Sequence, residues 1–210
     1  MSYLFHEQLA RSTDAMAQLK QSMVTVCGAG ALGGNIAETL VRSGVGQLKI
    51  IDCDRIEERN LSTQPYTRGD VGSYKAKVLA NSLYRAVGTL ADVETKRLTA
   101  TNAHKLLGSP DLVIDAFDNS GSRQAVKDSC NKICVPCLHA GLAGDYAEVI
   151  WNDFYRVPSP VNDDVCDYPL ARTLVMLTVA VATEAAIRFL VGGTTQSYTI
   201  TQKDFSITVF

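Results

Sequence analysis

Short apolar runs alternate with amphipathic stretches over the first two thirds of the chain. The runs have the length of buried strands, and the stretches carry apolar residues at helical spacing. Strands are predicted over residues 23–27, 47–51, 92–97, 111–115 and 135–139. Helices are predicted over residues 31–44, 73–87, 101–107 and 120–132. This alternation indicates right-handed crossovers and a doubly wound, Rossmann-like, mostly parallel α/β sheet.

The alternation of strand-like and helix-like segments ends near residue 140. Residues 145–152 alternate like an antiparallel strand, and two further alternating segments near the end, SYTITQ and FSITVF, predict short strands. Before them, residues 174–191 are apolar over the length of a membrane span, but Glu184 and Arg188 interrupt the run. A charge in the middle of a span costs about 3 kcal/mol, so a long buried or interface helix is the favoured interpretation.

Composition narrows the functional classes. The net charge of −2 gives no sign of a nucleic-acid partner or a membrane surface as partner. The N-terminus lacks a basic region followed by an apolar core, so we expect no signal peptide and a cytoplasmic protein. In such a protein the six cysteines are expected to be free thiols or ligands, not a disulfide framework.

A glycine-rich turn, GAGALGG, follows the first predicted strand and opens the first predicted helix. Gly28, Gly30 and Gly33 have the spacing G-x-G-x-x-G. In such a loop the first glycine permits the turn, the second lets the backbone approach a phosphate, and the third allows close helix–strand packing. Asp52 or Asp54, at the end of the second strand, can accept hydrogen bonds from ribose. The pattern predicts a nucleotide site and leaves open whether the nucleotide is a dinucleotide or ATP.

A long polar excursion then separates the second strand from the next helix, over residues 52–77. Cations and amide side chains at this edge of a sheet suit a triphosphate better than a nicotinamide ring. Those side chains are Arg55, Arg59, Asn60, Gln64, Arg68, Lys75 and Lys77. The fourth strand ends in DAFDN, where Asp118 could hold Mg²⁺ together with phosphate oxygens or could cap the following helix.

Five motifs in this order resemble the ThiF/MoeB/HesA-type adenylyltransferases of the ubiquitin-activating-enzyme superfamily, over roughly residues 20–195. They are the glycine loop, D-x-D, N-L-x-x-Q, G-x-x-K-A and D-x-x-D-N. The resemblance implies that ATP and Mg²⁺ are used to adenylate the C-terminal glycine of a small ubiquitin-fold or sulfur-carrier protein, with release of pyrophosphate. It implies catalytic roles for Lys75 and for Asp118, the Mg²⁺ ligand. The candidate nucleotide-binding residues are Gly28, Gly30, Ala31, Gly33, Asp52, Asp54, Asn60, Gln64, Lys75 and Asn119.

The chain departs from the family pattern at two places. Thr63 stands where the family has a phosphate-binding arginine, and Arg59 and Arg68 are the candidate replacements. Glu7 stands where the family has an arginine that reaches the partner subunit's ATP, and Arg11 is the candidate substitute. If neither substitute works, activity would be weak or absent.

Cysteine and histidine positions allow further roles. The resemblance makes Cys166 a candidate for thioester or persulfide chemistry, with an exposed bystander as the alternative. The spacing of Cys130, Cys134 and Cys137 is also found at iron–sulfur clusters and redox pairs, but core thiols are the favoured interpretation. Zinc is not expected, because the two C-x-x-C pairs of the family are absent. His139 is a candidate contact for the partner's tail.

The sequence thus predicts one domain over residues 1–210. Its nucleotide-binding core would span about 20–140, and the elements for partner and dimer contacts about 141–210. The long helix would form a homodimer, and the partner's tail would lie across residues 138–150 as an extended strand. Two alternatives stay open: an NAD(P)-dependent oxidoreductase, which leaves Lys75 and Asp118 unexplained, and a non-catalytic subunit of a heterodimeric activating enzyme.

Overall fold

One mixed sheet of eight strands organises the protein. The computed structural model describes residues 2–159 and 169–210. The strands are β1 (Met23–Cys27), β2 (Gln47–Ile51), β3 (Asp92–Glu94), β4 (Leu112–Asp115), β5 (Cys137–Ala143), β6 (Tyr146–Trp151), β7 (Tyr198–Thr201) and β8 (Ser206–Val209). Their order in the sheet is β3-β2-β1-β4-β5-β6-β7-β8. The first five pair in parallel and the last three antiparallel, which confirms the predicted fold class.

Seven α-helices connect and cover the strands in the described part of the chain. They are α1 (Phe5–Ala10), α2 (Thr13–Gln21), α3 (Ala31–Arg42), α4 (Lys75–Val87), α5 (Ala103–Leu107), α6 (Ser120–Ile133) and α7 (Arg172–Gly192). The sequence pattern did not predict α1 and α2. It also ended β5 too early, at residue 139, because the pairing with β6 carries that strand on to Ala143.

The two faces of the sheet are covered by different helices. Apolar side chains of α2, α3, α4 and α7 form one buried cluster with the strands. Side chains of α5 and α6 form a second cluster, on the opposite face, with Cys27, Val113 and Cys137. The chain changes faces between β1 and β4, so the carboxyl ends of β1, β2 and β4 open into one crevice, the usual place for a ligand in such a sheet.

The long helix α7 is part of the main core. By length and composition alone it could cross a membrane. However, Val175, Val179, Ala182, Ala186 and Leu190 are buried among side chains of α3 and the sheet. This packing agrees with the expectation of a buried helix.

Candidate functional site

The glycine loop between β1 and α3 has three glycines with different roles. Gly28 has a φ of +91°, and a Cβ there would lie 2.8 Å from the Ala116 carbonyl oxygen. A Cβ on Gly33 would lie 1.9 Å from the Gly28 carbonyl oxygen. On Gly30 the nearest atom to a Cβ would be Gln64 Nε2, at 3.9 Å. The first and third glycines are therefore required by backbone packing, whereas a Cβ on the second would make only an ordinary van der Waals contact with Gln64.

The start of α3 is suited to an anion. Gly30 is the N-cap residue and offers no side chain to the first N–H groups, and the first turn contains no acidic residue. Free N–H groups and the positive end of the helix dipole favour a phosphate at such a position. Asn35 fixes the neighbouring loop to this turn, because its Nδ2 donates to the carbonyl oxygens of Ala31 at 2.6 Å and Thr63 at 3.0 Å.

The two aspartates of the D-x-D turn are used differently. Buried Asp52 accepts from the N–H of Ala29 at 2.6 Å and from the N–H of Asp54 at 2.7 Å. Burial raises the pKa of Asp52, and Lys75 and these N–H groups oppose that shift. The carboxylate of Asp54 is about half exposed and lies 3.3 Å from the buried Lys75 Nζ. Asp52 thus holds the glycine loop, and Asp54 is the more exposed of the two carboxylates; which of them binds a ribose stays a prediction.

The side-chain amide of Gln64 lies beside Gly30 with Nε2 nearest to it, and the other polar atom of this amide is unsatisfied. Its Oε1 is buried and has no hydrogen-bond partner among the described residues. A buried acceptor without a donor costs about 1–3 kcal/mol. A ligand that donates a hydrogen bond there would remove this cost. An unsatisfied acceptor on the amide beside the glycine loop suits a polar ligand at this position.

The remaining residues of the N-L-x-x-Q loop have structural contacts. Asn60 Oδ1 accepts from the N–H of Glu57 at 2.9 Å, and Arg59 Nε lies 2.6 Å from a carboxylate oxygen of Glu57. Thr63 is 5 % exposed, so its side chain points into the protein. The second candidate replacement, Arg68, lies in the short helix Arg68–Asp70. Whether Arg59 or Arg68 contacts phosphate stays a prediction.

One further cation reaches this loop, and the sequence motifs did not indicate it. Arg172, the first residue of α7, donates from Nη1 to the Ser62 carbonyl oxygen at 3.3 Å. The two residues are 110 positions apart. No local pattern connects residues so distant in sequence, so only the fold could reveal this contact.

The loop after β4 places Asp118 at the surface of the crevice. Asn119, not Asp118, is the N-cap of α6, since its Oδ1 accepts from the N–H of Ser122 at 2.9 Å. The capping role considered for Asp118 is therefore wrong. Asp118 is exposed, and its carboxylate contacts the neighbouring Asn119 Nδ2 at 3.4 Å. It remains available to a cation, and the loop lies beside Gly28.

A buried polar network lies behind this loop. His139 Nδ1 is 2.8 Å from Asp115 Oδ2, and its Nε2 is 2.6 Å from Asn152 Oδ1. The ring stacks on Tyr155 with 3.8 Å between centroids. His139 is completely buried and both ring nitrogens are engaged, so the predicted contact with a partner's tail is wrong. The strand continues beyond His139, which places it inside β5 and not at the end of a strand.

Arg123 completes the network. Its guanidinium donates to the Tyr155 hydroxyl at 3.0 Å and to the Ala140 carbonyl oxygen at 2.9 Å. It also lies 3.8 Å from Asp115. Burial opposes ionisation of Asp115, but the charge of Arg123 and the hydrogen bond from His139 outweigh it and lower the pKa of Asp115. Sequence reasoning missed this network, which joins β4, β5, α6 and the segment after β6.

The cysteines of the C-x-x-x-C-x-x-C run occupy different environments. Cys130 and Cys137 are buried in the core, and burial raises the pKa of Cys137 well above its usual value. Cys134 ends α6 with a φ of 55° and is exposed. The expectation of core thiols is therefore confirmed for Cys130 and Cys137 and is wrong for Cys134, which the left-handed turn at the end of α6 leaves at the surface. Cys166 lies outside the described residues.

Arg11 is held within its own chain in the structure. Its guanidinium contacts Glu7 at 2.8 Å and Glu184 of α7 at 3.0 Å. Whether Arg11 reaches the nucleotide of a partner subunit stays a prediction.

In residues 2–159 and 169–210, no group of three or more His, Cys, Asp or Glu side chains could hold a metal ion. Mg²⁺ uses one or two carboxylates together with phosphate oxygens, which is the kind of site that Asp118 offers.

Curated relatives match about 60% of this chain. The sulfur carrier protein adenylyltransferase of Thermus thermophilus is 41% identical over 132 residues, which are 61% of this chain and 48% of that protein. The sulfur carrier protein ThiS adenylyltransferase of Bacillus subtilis is 37% identical over 133 residues, or 61% of this chain and 40% of that protein. The SAMP-activating enzyme E1 of Haloferax volcanii is 33% identical over 132 residues, again 61% and 48%. Each match spans less than half of the relative's own length.

Solved structures share the architecture at lower identity. The microcin C7 biosynthetic enzyme MccB in complex with N-formylated MccA superposes with a TM-score of 0.83 at 19% identity, over 94% of this chain and 66% of that chain. MccB of E. coli with ATP gives a TM-score of 0.80 at 21% identity, over 94% and 65%. A family model described as the ThiF family matches residues 5–207. The resemblance that the sequence motifs indicated is thereby confirmed: the chain belongs to the ThiF family.

Proposed function

We propose that the protein binds Mg·ATP at the glycine loop and adenylates the C-terminal glycine carboxylate of a small ubiquitin-fold or sulfur-carrier protein. The observation that carries the nucleotide site is the start of α3, where Gly30 leaves the first N–H groups without a side-chain cap and the Gln64 amide, with its unsatisfied Oε1, lies beside it. The names of the relatives support the reaction, because two of them are sulfur carrier protein adenylyltransferases.

In this reaction a carboxylate oxygen attacks the α-phosphorus, and the bond to the bridging oxygen of the β-phosphate breaks. Pyrophosphate leaves with the electron pair, so no proton transfer or redox step is needed. The main task of the site is to position the two anionic reactants and to neutralise charge. Mg²⁺ bound at Asp118 would supply part of that charge. Lys75, held 3.3 Å from Asp54, is the buried cation of the site.

The partner's tail would lie as an extended chain near Asp118, beside the part of β5 that continues past its pairing with β4, because β6 is already paired with β5 and β7. The exposed side chains of α7 support the proposal of a homodimer. Met176 is 42% and Val191 41% exposed although both are apolar. A second copy packed against this side of α7 would bury both residues. If Cys166 reacts with the adenylated partner, that step follows adenylation and leaves ATP binding unchanged.

The family assignment decides against the nicotinamide-dependent oxidoreductase. The alternative that the protein is a non-catalytic subunit stays open. Thr63, which stands in place of a phosphate-binding arginine, is buried, and Arg11, the candidate substitute for the other arginine, is ion-paired within its own chain. A catalytic protein requires a free carboxylate near the nucleotide, and exposed Asp118 meets that requirement.

Thermal unfolding with and without Mg·ATP tests the nucleotide site. At about 100 times its dissociation constant, a ligand adds about 2.7 kcal/mol, which is a rise in Tm of about 5–10 °C for this chain length. We expect this rise with Mg·ATP and none with NADH. Asp118→Ala should keep the Tm of the free protein and lose most of the rise.

Asp128→Ala is the matched control. Asp128 is another exposed carboxylate, more than two turns into α6, and its loss should leave the rise unchanged. ATP–pyrophosphate exchange with the sulfur carrier ThiS then tests the reaction. Normal exchange by Asp118→Ala would show that Asp118 is not the Mg²⁺ ligand. Stabilisation by NADH alone would overturn the proposed function.

A further inference from the structure

Arg172 occupies an unusual position for a cation. It is the first residue of the 21-residue helix α7, whose N-cap residue Ala171 makes no side-chain capping bond. The first turn also contains no acidic residue. A positive charge at a helix N-terminus opposes the helix dipole. Helix stability therefore gives no reason for an arginine at this position, and such local conflicts are expected at functional sites.

The contact of Arg172 brings its charge to the nucleotide loop. Its Nη1 donates to the carbonyl oxygen of Ser62, at 3.3 Å. Thr63, the next residue, is tied by Asn35 to the first turn of α3. Gln64 then faces Gly30. The guanidinium thus contacts the loop two residues before the side chain that lies beside Gly30.

The charges of the site leave a role for this arginine. A triphosphate carries several negative charges, and buried Lys75 already contacts Asp54 at 3.3 Å. Arg172 is exposed, and its hydrogen bond to a neutral carbonyl uses one of five N–H donors. The uncapped N-terminus of α7 adds positive potential of the same sign. We propose that Arg172 binds the β- or γ-phosphate of ATP and stabilises the pyrophosphate as it leaves.

This inference rests on the proposed function, because it assumes that ATP binds at the glycine loop. It places the cation that contacts the polyphosphate on α7, whereas the sequence motifs place that cation in the loop after β2. Thr63 then needs no replacement within its own loop. It also makes α7 part of the nucleotide site and not only a core helix.

Calorimetric titration of the full chain with Mg·ATP and with AMP tests the role of Arg172. Arg172→Ala should weaken Mg·ATP binding about tenfold or more, as for a lost charge-assisted hydrogen bond. AMP, which lacks the β- and γ-phosphates, should bind almost unchanged. Arg172→Lys should recover part of the ATP affinity. Arg188→Ala is the matched control, since Arg188 is an exposed arginine roughly four turns further along α7.

Thermal unfolding of the free variants gives a second readout. Without nucleotide, Arg172→Ala should unfold at the same temperature as the wild-type protein or up to about 3 °C higher, because a charge that opposes the helix dipole is removed. A purely structural role would instead lower it and affect ATP and AMP alike, and that result would overturn the inference. Equal ATP affinity of Arg172→Ala and the wild-type protein would also overturn it and leave the proposed function intact. If the wild-type protein does not bind Mg·ATP, both fail.

Discussion

Alanine substitutions in the glycine loop should separate its structural from its ligand-binding role. At Gly33 the added Cβ would lie 1.9 Å from the backbone oxygen of Gly28. Backbone atoms cannot rotate away, so α3 must shift away from β1. Overpacking of this kind costs about 3 kcal/mol, and the better helix propensity of alanine returns about 1 kcal/mol. The net loss of about 2 kcal/mol corresponds to a fall in Tm of about 4–8 °C.

At Gly30 the same substitution meets no such obstacle. The nearest atom is 3.9 Å from the added Cβ, and φ at this residue is −83°. We expect the Tm of free Gly30→Ala to stay within about 2 °C of the wild-type value. The methyl group would occupy the space that a phosphate needs, so the rise of about 5–10 °C with Mg·ATP should largely disappear.

Thermal unfolding by circular dichroism, with and without Mg·ATP, measures both effects on each variant. We expect opposite patterns: Gly33→Ala lowers the Tm of the free protein, and Gly30→Ala loses the rise in Tm with Mg·ATP. A full response of Gly30→Ala to Mg·ATP would refute the view that a phosphate approaches Gly30. An unchanged Tm of free Gly33→Ala would refute the close packing of α3 on the loop.

Two further predictions concern the buried network. The lowered pKa of Asp115 means that its contribution to stability is present above the unfolded value of about 3.9 and is lost as pH falls through the folded value. In urea unfolding, the difference between the wild-type protein and Asp115→Asn should therefore shrink below about pH 4, and a constant difference would contradict the ion pair. Tyr155→Phe should cost about 1–3 kcal/mol, because it leaves a buried N–H of Arg123 without its acceptor at 3.0 Å. The exposed Tyr146→Phe is the control, and an equal loss from both would argue against that bond.

The sequence was most informative where the signal is local. Strand and helix periods depend on neighbouring residues, and the spacing of Gly28, Gly30 and Gly33 describes a single turn, so both could be predicted. The network around His139 depends on register instead. His139 lies opposite Asp115 in the pairing of β4 with β5, and no feature of either segment alone reveals that pairing. The contact of Arg172 with Ser62 depends on how α7 packs and was equally invisible.

The aspartates at the ends of β2 and β4 have the same arrangement, which the sequence motifs alone do not show. Asp52 and Asp115 are the aspartates nearest the ends of β2 and β4, and both are buried. Each accepts from the N–H two residues later, at 2.7 Å and 3.2 Å respectively, and so fixes the turn that follows.

The second aspartate of each motif, Asp54 or Asp118, is carried by that turn and exposed to solvent. An aspartate pair at such a strand end therefore combines a residue that sets the backbone with one that can meet a ligand. This division explains why two carboxylates stand so close together without sharing one site.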